Sequence, residues 1–187
     1  MQKQALRTLY TAKRNELSQD TIHRLSQEIT TQVFQNFDIR SKTVSLFLTI
    51  NTKKEIQTEF LLTKLLAQNN AISVSKSDFT TNNLQHYLYE GNEQLEISKF
   101  GIPEPTYGQE ITSEKLDFVF VPLLCVDEKG YRVGYGKGFY DRFLSACRKD
   151  CVFIGLSFFE PIATIEDRHE NDVPLHFVVT PTNVFRF

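Results

Sequence analysis

An α/β fold built on a mainly parallel sheet is what this sequence predicts, on three observations. Helical periodicity runs through the first forty residues, with no glycine or proline to interrupt it. Beyond them, short apolar runs alternate with helical stretches, the pattern of strands joined by crossover helices. Those runs are apolar throughout instead of at every second residue, as strands covered on both faces are. The 187 residues suit one domain spanning 1–187, and no repeat, low-complexity segment or linker divides them.

The elements follow in order. Ile22, Leu25, Ile29 and Val33 form one apolar helical stripe. Ser18 is a fitting N-cap that separates this helix from an earlier one, whose packed side Leu6, Leu9 and Leu17 can supply. Val44 to Ile50 reads as a buried strand, and a helix carrying Phe60, Leu61, Leu65 and Leu66 runs from it to the Asn69-Asn70 turn. Ala71 to Ser75 is a second strand. Tyr87–Tyr89 and Leu95–Ile97 flank Glu90-Gly91-Asn92 as a hairpin, and Gly101–Pro105 is expected to be irregular because two prolines withhold ladder hydrogen bonds. Phe118 to Leu124 is the most hydrophobic strand, Phe139 to Arg148 returns to helical spacing, and Val152–Ser157, Phe177–Thr180 and Val184–Phe187 complete the strands.

Composition narrows the function classes. Hydrophobic residues make up 41% and charged residues 24%, values of a globular chain. A net charge of -2 argues against a field that gathers nucleic acid or anionic membrane. Three cysteines do not make a disulfide framework, and Cys147 and Cys151, four apart, have no third ligand at metal-site spacing. The N-terminus lacks the apolar stretch of a signal peptide and no later run is long enough to cross a bilayer, so a soluble cytoplasmic protein is expected.

The average charge hides two patches. Residues 1–15 carry Lys3, Arg7, Lys13 and Arg14 with no acid, and four of the eight glycines fall between Gly130 and Gly138. A strand that runs into a glycine-rich turn and then a helix gathers backbone N–H groups around one point, which attracts phosphate. Arg132 and Lys137 add charge there, and Asp141 is a hard oxygen ligand of the kind Mg2+ prefers. Two familiar motifs fail. Gly136-Lys137 is followed by Gly138 where a P-loop needs Ser or Thr, and Gly134, Gly136 and Gly138 are evenly spaced, unlike the dinucleotide fingerprint.

The run RVGYGKGFYDRF closely resembles the 5-formyltetrahydrofolate cyclo-ligase (5,10-methenyltetrahydrofolate synthetase) family. Asp127, Gly130, Arg132, Val133, Gly134, Gly136, Gly138, Phe139, Tyr140 and Asp141 stand at the positions of that family's pattern. Lys3 and Arg7, Glu55 and Thr58, Gly101 to Pro105, and Asp172 before Val178–Thr180 agree in the same order, so the resemblance covers nearly the whole chain. Phe139 stands where Tyr is frequent, Val126 where an aromatic residue is common, and His176 where the family is often acidic.

The resemblance implies a three-layer α/β/α domain and ATP- and Mg2+-dependent conversion of 5-formyltetrahydrofolate to 5,10-methenyltetrahydrofolate. A non-catalytic nucleotide-binding or regulatory homologue is the alternative. Lys3, Arg7 and Arg14, with the loop Arg132, Val133, Gly134, Tyr135, Gly136, Lys137, Gly138, Phe139 and Tyr140, would hold ATP. Lys137 and Arg132 would be catalytic. Leu48, Glu55, Tyr135 and Phe139 would face the folate, and Asp141 and Asp172 would hold Mg2+. Tyr107, Tyr135 and Tyr140 are further candidates to stack on a pterin or adenine ring. The implied partners are 5-formyltetrahydrofolate and ATP, without nucleic acid or membrane, acting on a monomer or weak homodimer.

Overall fold

Strand order and helix placement follow from which faces of the apolar runs must be covered. The structure, a computed structural model, describes all 187 residues. Seven strands form one mixed sheet: β1 (Thr43–Ser45), β2 (Ala71–Asp78), β3 (Asn83–Leu88), β6 (Phe118–Pro122), β9 (Val152–Leu156), β10 (Phe177–Val179) and β11 (Val184–Arg186), in the order β11-β10-β9-β6-β1-β2-β3. The interior pairs are parallel, with Val44 opposite both Ile72 and Phe118 and with Ile154 opposite Phe120 and Phe177. Only the edge strands β3 and β11 run antiparallel to their neighbours. Two small ladders, β4 (Leu95–Ile97) with β5 (Pro103–Pro105) and β7 (Cys125–Val126) with β8 (Arg132–Val133), lie outside it.

Alternation along β6 divides the core. Phe120 joins Ile29 and Val33 of α2 (Gln19–Asn36) and Leu61 and Leu65 of α3 (Glu59–Ala67) on one face. Val119 and Val121 join Phe143 and Leu144 of α4 (Phe139–Ser145) on the other. This is the expected three-layer arrangement. A third cluster seats Leu6 and Tyr10 of α1 (Lys3–Asn15) on Leu124, Cys125, Val133 and Ile165. No helix is long and apolar enough to cross a membrane.

Ser18 caps α2 as expected, accepting a hydrogen bond from the Thr21 N–H at 3.1 Å. Five local expectations need correction. The run Val44–Ile50 is a strand only to Ser45; from Thr49 the chain turns to bond Ile56 and Thr58, which leaves the sheet. The long hairpin is β2 with β3, and Leu95–Ile97 pairs instead with Pro103–Pro105. The prolines are admitted because the flanking bonds, Ser98 N–H to Ile102 and Thr106 N–H to Gln94, make 95/105 and 97/103 the non-bonded pairs, where no ladder N–H is required. α4 stops at Ser145, three residues before Arg148. Finally, α1 buries Lys3, Leu6, Tyr10 and Arg14 and leaves Leu9 at 38% exposure, so its basic side is the packed side.

Candidate active site

Beyond the carboxyl end of β6, the β7–β8 ladder projects the glycine loop over the sheet edge, and buried Asp127 fixes its shape. One Asp127 oxygen accepts the N–H groups of Lys129 and Tyr131, each at 3.0 Å, and the other accepts that of Ile165 at 3.1 Å. The loop that follows closes against α1. Arg7 Nε donates to the Gly134 carbonyl at 3.0 Å, and its guanidinium lies flat on Gly136, where an added Cβ would sit 3.1 Å from Cζ. Gly136 also has φ +87, so both the backbone and the close approach require glycine.

The loop forms one wall of a cavity of about 480 Å³. Lys3, Arg7, Arg132, Lys137 and Asp141 supply charged groups to its lining, and Leu48, Ile50, Phe79, Phe100 and Ile102 supply apolar ones, with Glu55 among the latter. Patches at residues 1–15 and 130–138 are thereby brought together, with Gly134, Tyr135, Gly136, Gly138, Phe139 and Tyr140 also on the lining.

Three expected residues are not on the lining. The Val133 side chain is fully buried under α1 and anchors the loop from behind. Asp172 lies just outside, where one oxygen accepts Lys3 Nζ at 2.5 Å and the His169 N–H at 2.7 Å. Burial raises the Asp172 pKa, but those hydrogen bonds and the Lys3 charge outweigh it and hold the carboxyl below its ordinary value. Arg14 is 5% exposed and directs Nη2 to the Tyr135 hydroxyl at 2.7 Å, so it reaches the lining only through Tyr135.

Charges on the polar wall are mostly committed. Arg132 donates to Asp141 at 2.7 Å and to the Val173 carbonyl at 2.6 Å, so it orients Asp141. Burial lowers its pKa, opposed by the carboxylates of Asp141 and Asp172. The Asp141 oxygen that Arg132 meets also accepts the Val173 N–H at 3.2 Å. Lys137 is exposed and its ammonium makes no hydrogen bond or ion pair with the protein.

Each of these two aspartates keeps one oxygen without a protein partner. No cluster of three or more His, Cys, Asp or Glu groups exists. That donor set suits a hard cation held by one or two carboxylates, with water and phosphate oxygens completing its shell. His176 does not contribute, because its Nδ1 accepts the Phe153 N–H at 2.9 Å and its ring stacks on Phe153.

On the apolar side Glu55 is 4% exposed. Its Oε1 accepts the Tyr135 hydroxyl at 2.5 Å and its Oε2 the Ile50 N–H at 2.8 Å. Burial outweighs these two bonds and the charges of Arg14 and Lys53, which oppose it, and holds the carboxyl above its ordinary value. Phe79 lies against Phe100 with centroids 4.0 Å apart and rings tilted by 39°, and it meets Phe139 edge-on at 5.3 Å, so three aromatic rings cluster on the lining. Sequence reasoning missed Phe79 and Phe100 and named Tyr107, which lies off the lining at 50% exposure. The signal was an aromatic residue in each of two polar turns, 78–82 and 98–101, next to irregular backbone.

Known proteins share this architecture. The chain is 29% identical over 179 residues to a 5-formyltetrahydrofolate cyclo-ligase of Haemophilus influenzae, covering 92% of this chain and 94% of that one. A probable 5-formyltetrahydrofolate cyclo-ligase of Schizosaccharomyces pombe is 27% identical, covering 100% and 98%. The NMR structure of Aquifex aeolicus 5,10-methenyltetrahydrofolate synthetase superposes with a TM-score of 0.85 at 30% identity, over 100% of this chain and 93% of that one. A model of the 5-formyltetrahydrofolate cyclo-ligase family matches residues 1–181, and with that span, which takes in both walls of the cavity, the chain belongs to the 5-formyltetrahydrofolate cyclo-ligase family.

Proposed function

We propose that this enzyme converts 5-formyltetrahydrofolate to 5,10-methenyltetrahydrofolate with hydrolysis of ATP to ADP and phosphate. The observation that carries the reading is the two-sided cavity, with a basic glycine loop on one wall and an apolar wall holding one buried carboxylate on the other. Such a site can take a triphosphate and a folate side by side.

The formyl group on N5 is an amide, and its oxygen is a poor leaving group. The formyl oxygen attacks the γ-phosphorus and ADP departs, which leaves an iminium phosphate. N10 then attacks the formyl carbon, closes the ring and gives up its proton as phosphate leaves. Both nucleophiles belong to the folate, so the protein supplies positioning and charge. Lys3 and Arg7 meet the phosphates from α1, the loop N–H groups wrap them, and Lys137, a loop cation without a protein partner, meets the transferring phosphoryl group. Arg132 and the Val173 N–H orient Asp141. A Mg2+ held by the remaining oxygens of Asp141 and Asp172 would offset charge on the phosphates. Glu55 accepts N–H donors of the pterin, and Leu48, Phe139, Phe79 and Phe100 exclude water around the rings.

Purified protein incubated with 5-formyltetrahydrofolate and MgATP is expected to develop the absorbance of the methenyl product with one phosphate released per turnover. Tight ATP binding by folded protein without that product would support the non-catalytic alternative instead.

A further inference from the structure

The sequence groups Arg14 with Lys3 and Arg7, yet the fold sets it off the cavity lining, behind Tyr135. All three lie on α1, but Arg14 is a full three turns beyond Lys3, where the helix passes behind the glycine loop. Its guanidinium lies 5.6 Å from the Tyr135 ring centroid and donates Nη2 to the Tyr135 hydroxyl at 2.7 Å. That hydroxyl in turn donates to Glu55 at 2.5 Å. Arg14 and Glu55 are also the two charged residues around a separate cavity of about 10 Å³, otherwise lined by apolar side chains including Phe47, Ile56 and Phe159. That volume matches about one water molecule, and Arg14 Nε, buried without a partner, offers it a donor.

A carboxylate buried as deeply as Glu55 is costly unless a cation shares its burial. The charged and titratable groups facing it are Arg14, Tyr135, Lys53 and Tyr140. Lys53 is exposed, and the two tyrosines are held protonated by burial, with the Glu55 charge adding to that. Arg14 is therefore the only buried cation in the group.

We propose that Arg14 is a positioning residue for the folate and not a phosphate ligand: acting through Tyr135, it holds Glu55 as a carboxylate aimed at the N–H donors of the pterin. This rests on the folate reading of the Glu55 wall given above. Tyr135 belongs to the nucleotide loop, so the same contact fixes the loop's position relative to the folate wall.

The test measures 5-formyltetrahydrofolate binding without nucleotide between pH 5 and 8, beside steady-state kinetics, for the wild type, Arg14→Met, Arg14→Lys and Tyr135→Phe. In Arg14→Met the folate KM is expected to rise about tenfold while the MgATP KM stays within about twofold, and the acid limit of folate binding moves up by about one pH unit. Arg14→Lys restores part of both. A rise in the MgATP KM with folate binding unchanged at every pH overturns the proposal. Should Arg14→Met not fold, Tyr135→Phe removes one oxygen only; an acid limit unmoved in that variant overturns it equally. A wild type that binds folate but forms no methenyl product defeats the cyclo-ligase reading alone, because the binding series still decides the role of Arg14. A wild type that does not bind folate overturns both.

Discussion

The Lys3 ammonium lies 2.5 Å from a carboxylate oxygen of Asp172, although 169 positions separate the two. Their side chains are 11% and 15% exposed, so the pair is sheltered from most of the screening that weakens surface ion pairs. It fastens the start of α1 to the segment before β10 and places two of the proposed ATP and metal groups in contact.

Lys3→Met leaves half-buried Asp172 with only the His169 N–H as hydrogen-bond partner. A loss of about 1–2 kcal/mol is expected, between that of an exposed pair and that of a fully buried one. Denaturant unfolding at pH 7 checks it, and the variant should also show a raised MgATP KM.

Lys137→Ala removes the one loop cation that no protein group occupies. Turnover is expected to fall about 10²- to 10³-fold, the effect of deleting a donor to developing charge, with folate affinity unchanged. Single-turnover kinetics and folate binding separate the two quantities. Unchanged turnover would remove Lys137 from the mechanism.

Gly136→Ala forces a side chain into the left-handed region and against the Arg7 guanidinium. Strain of about 1–3 kcal/mol is expected. Because Arg7 must move, the MgATP KM should rise about tenfold with little change in the folate KM. Steady-state kinetics with each substrate varied in turn provides the check.

His86 on β3 is 5% exposed, makes no ring hydrogen bond and lies tilted against Phe143 of α4 with centroids 4.0 Å apart. Burial holds its pKa down at about 4. The unfolded chain therefore binds the proton more readily, and stability that is full above about pH 6.5 is lost progressively as pH falls toward about 4. The loss amounts to about 3 kcal/mol. Unfolding series on wild type and His86→Phe should diverge across that window, with the variant flatter; parallel curves would refute the assignment.

Much of the fold was legible in the sequence because its signals are local. Phe118–Leu124 and Val152–Ser157 are apolar throughout and became the central parallel pair β6 and β9, and Ser18 marks a helix start through its own side chain. The glycine loop was legible for the same reason, since Arg132 to Asp141 is one contiguous segment. Misreadings arose where a distant partner decides the outcome. Pro103 and Pro105 argue against a strand until the register with Leu95–Ile97 places them at pairs that need no N–H. Helical spacing puts Leu6 and Leu9 alike on the packed side of α1, but Leu124 and Val133 receive Leu6 with Tyr10 and leave Leu9 exposed.

The same division holds for the site. Residue types and spacing along the chain determined the α/β class, the loop that can cradle phosphate and the family to which the chain belongs. Only the tertiary structure decided that Lys3 meets Asp172, that Arg132 meets Asp141, and that Arg14 meets Tyr135, which in turn meets Glu55. Spacing on a helix sets which side chains share a face, but the charge each one meets depends on which buried group the rest of the chain brings opposite it.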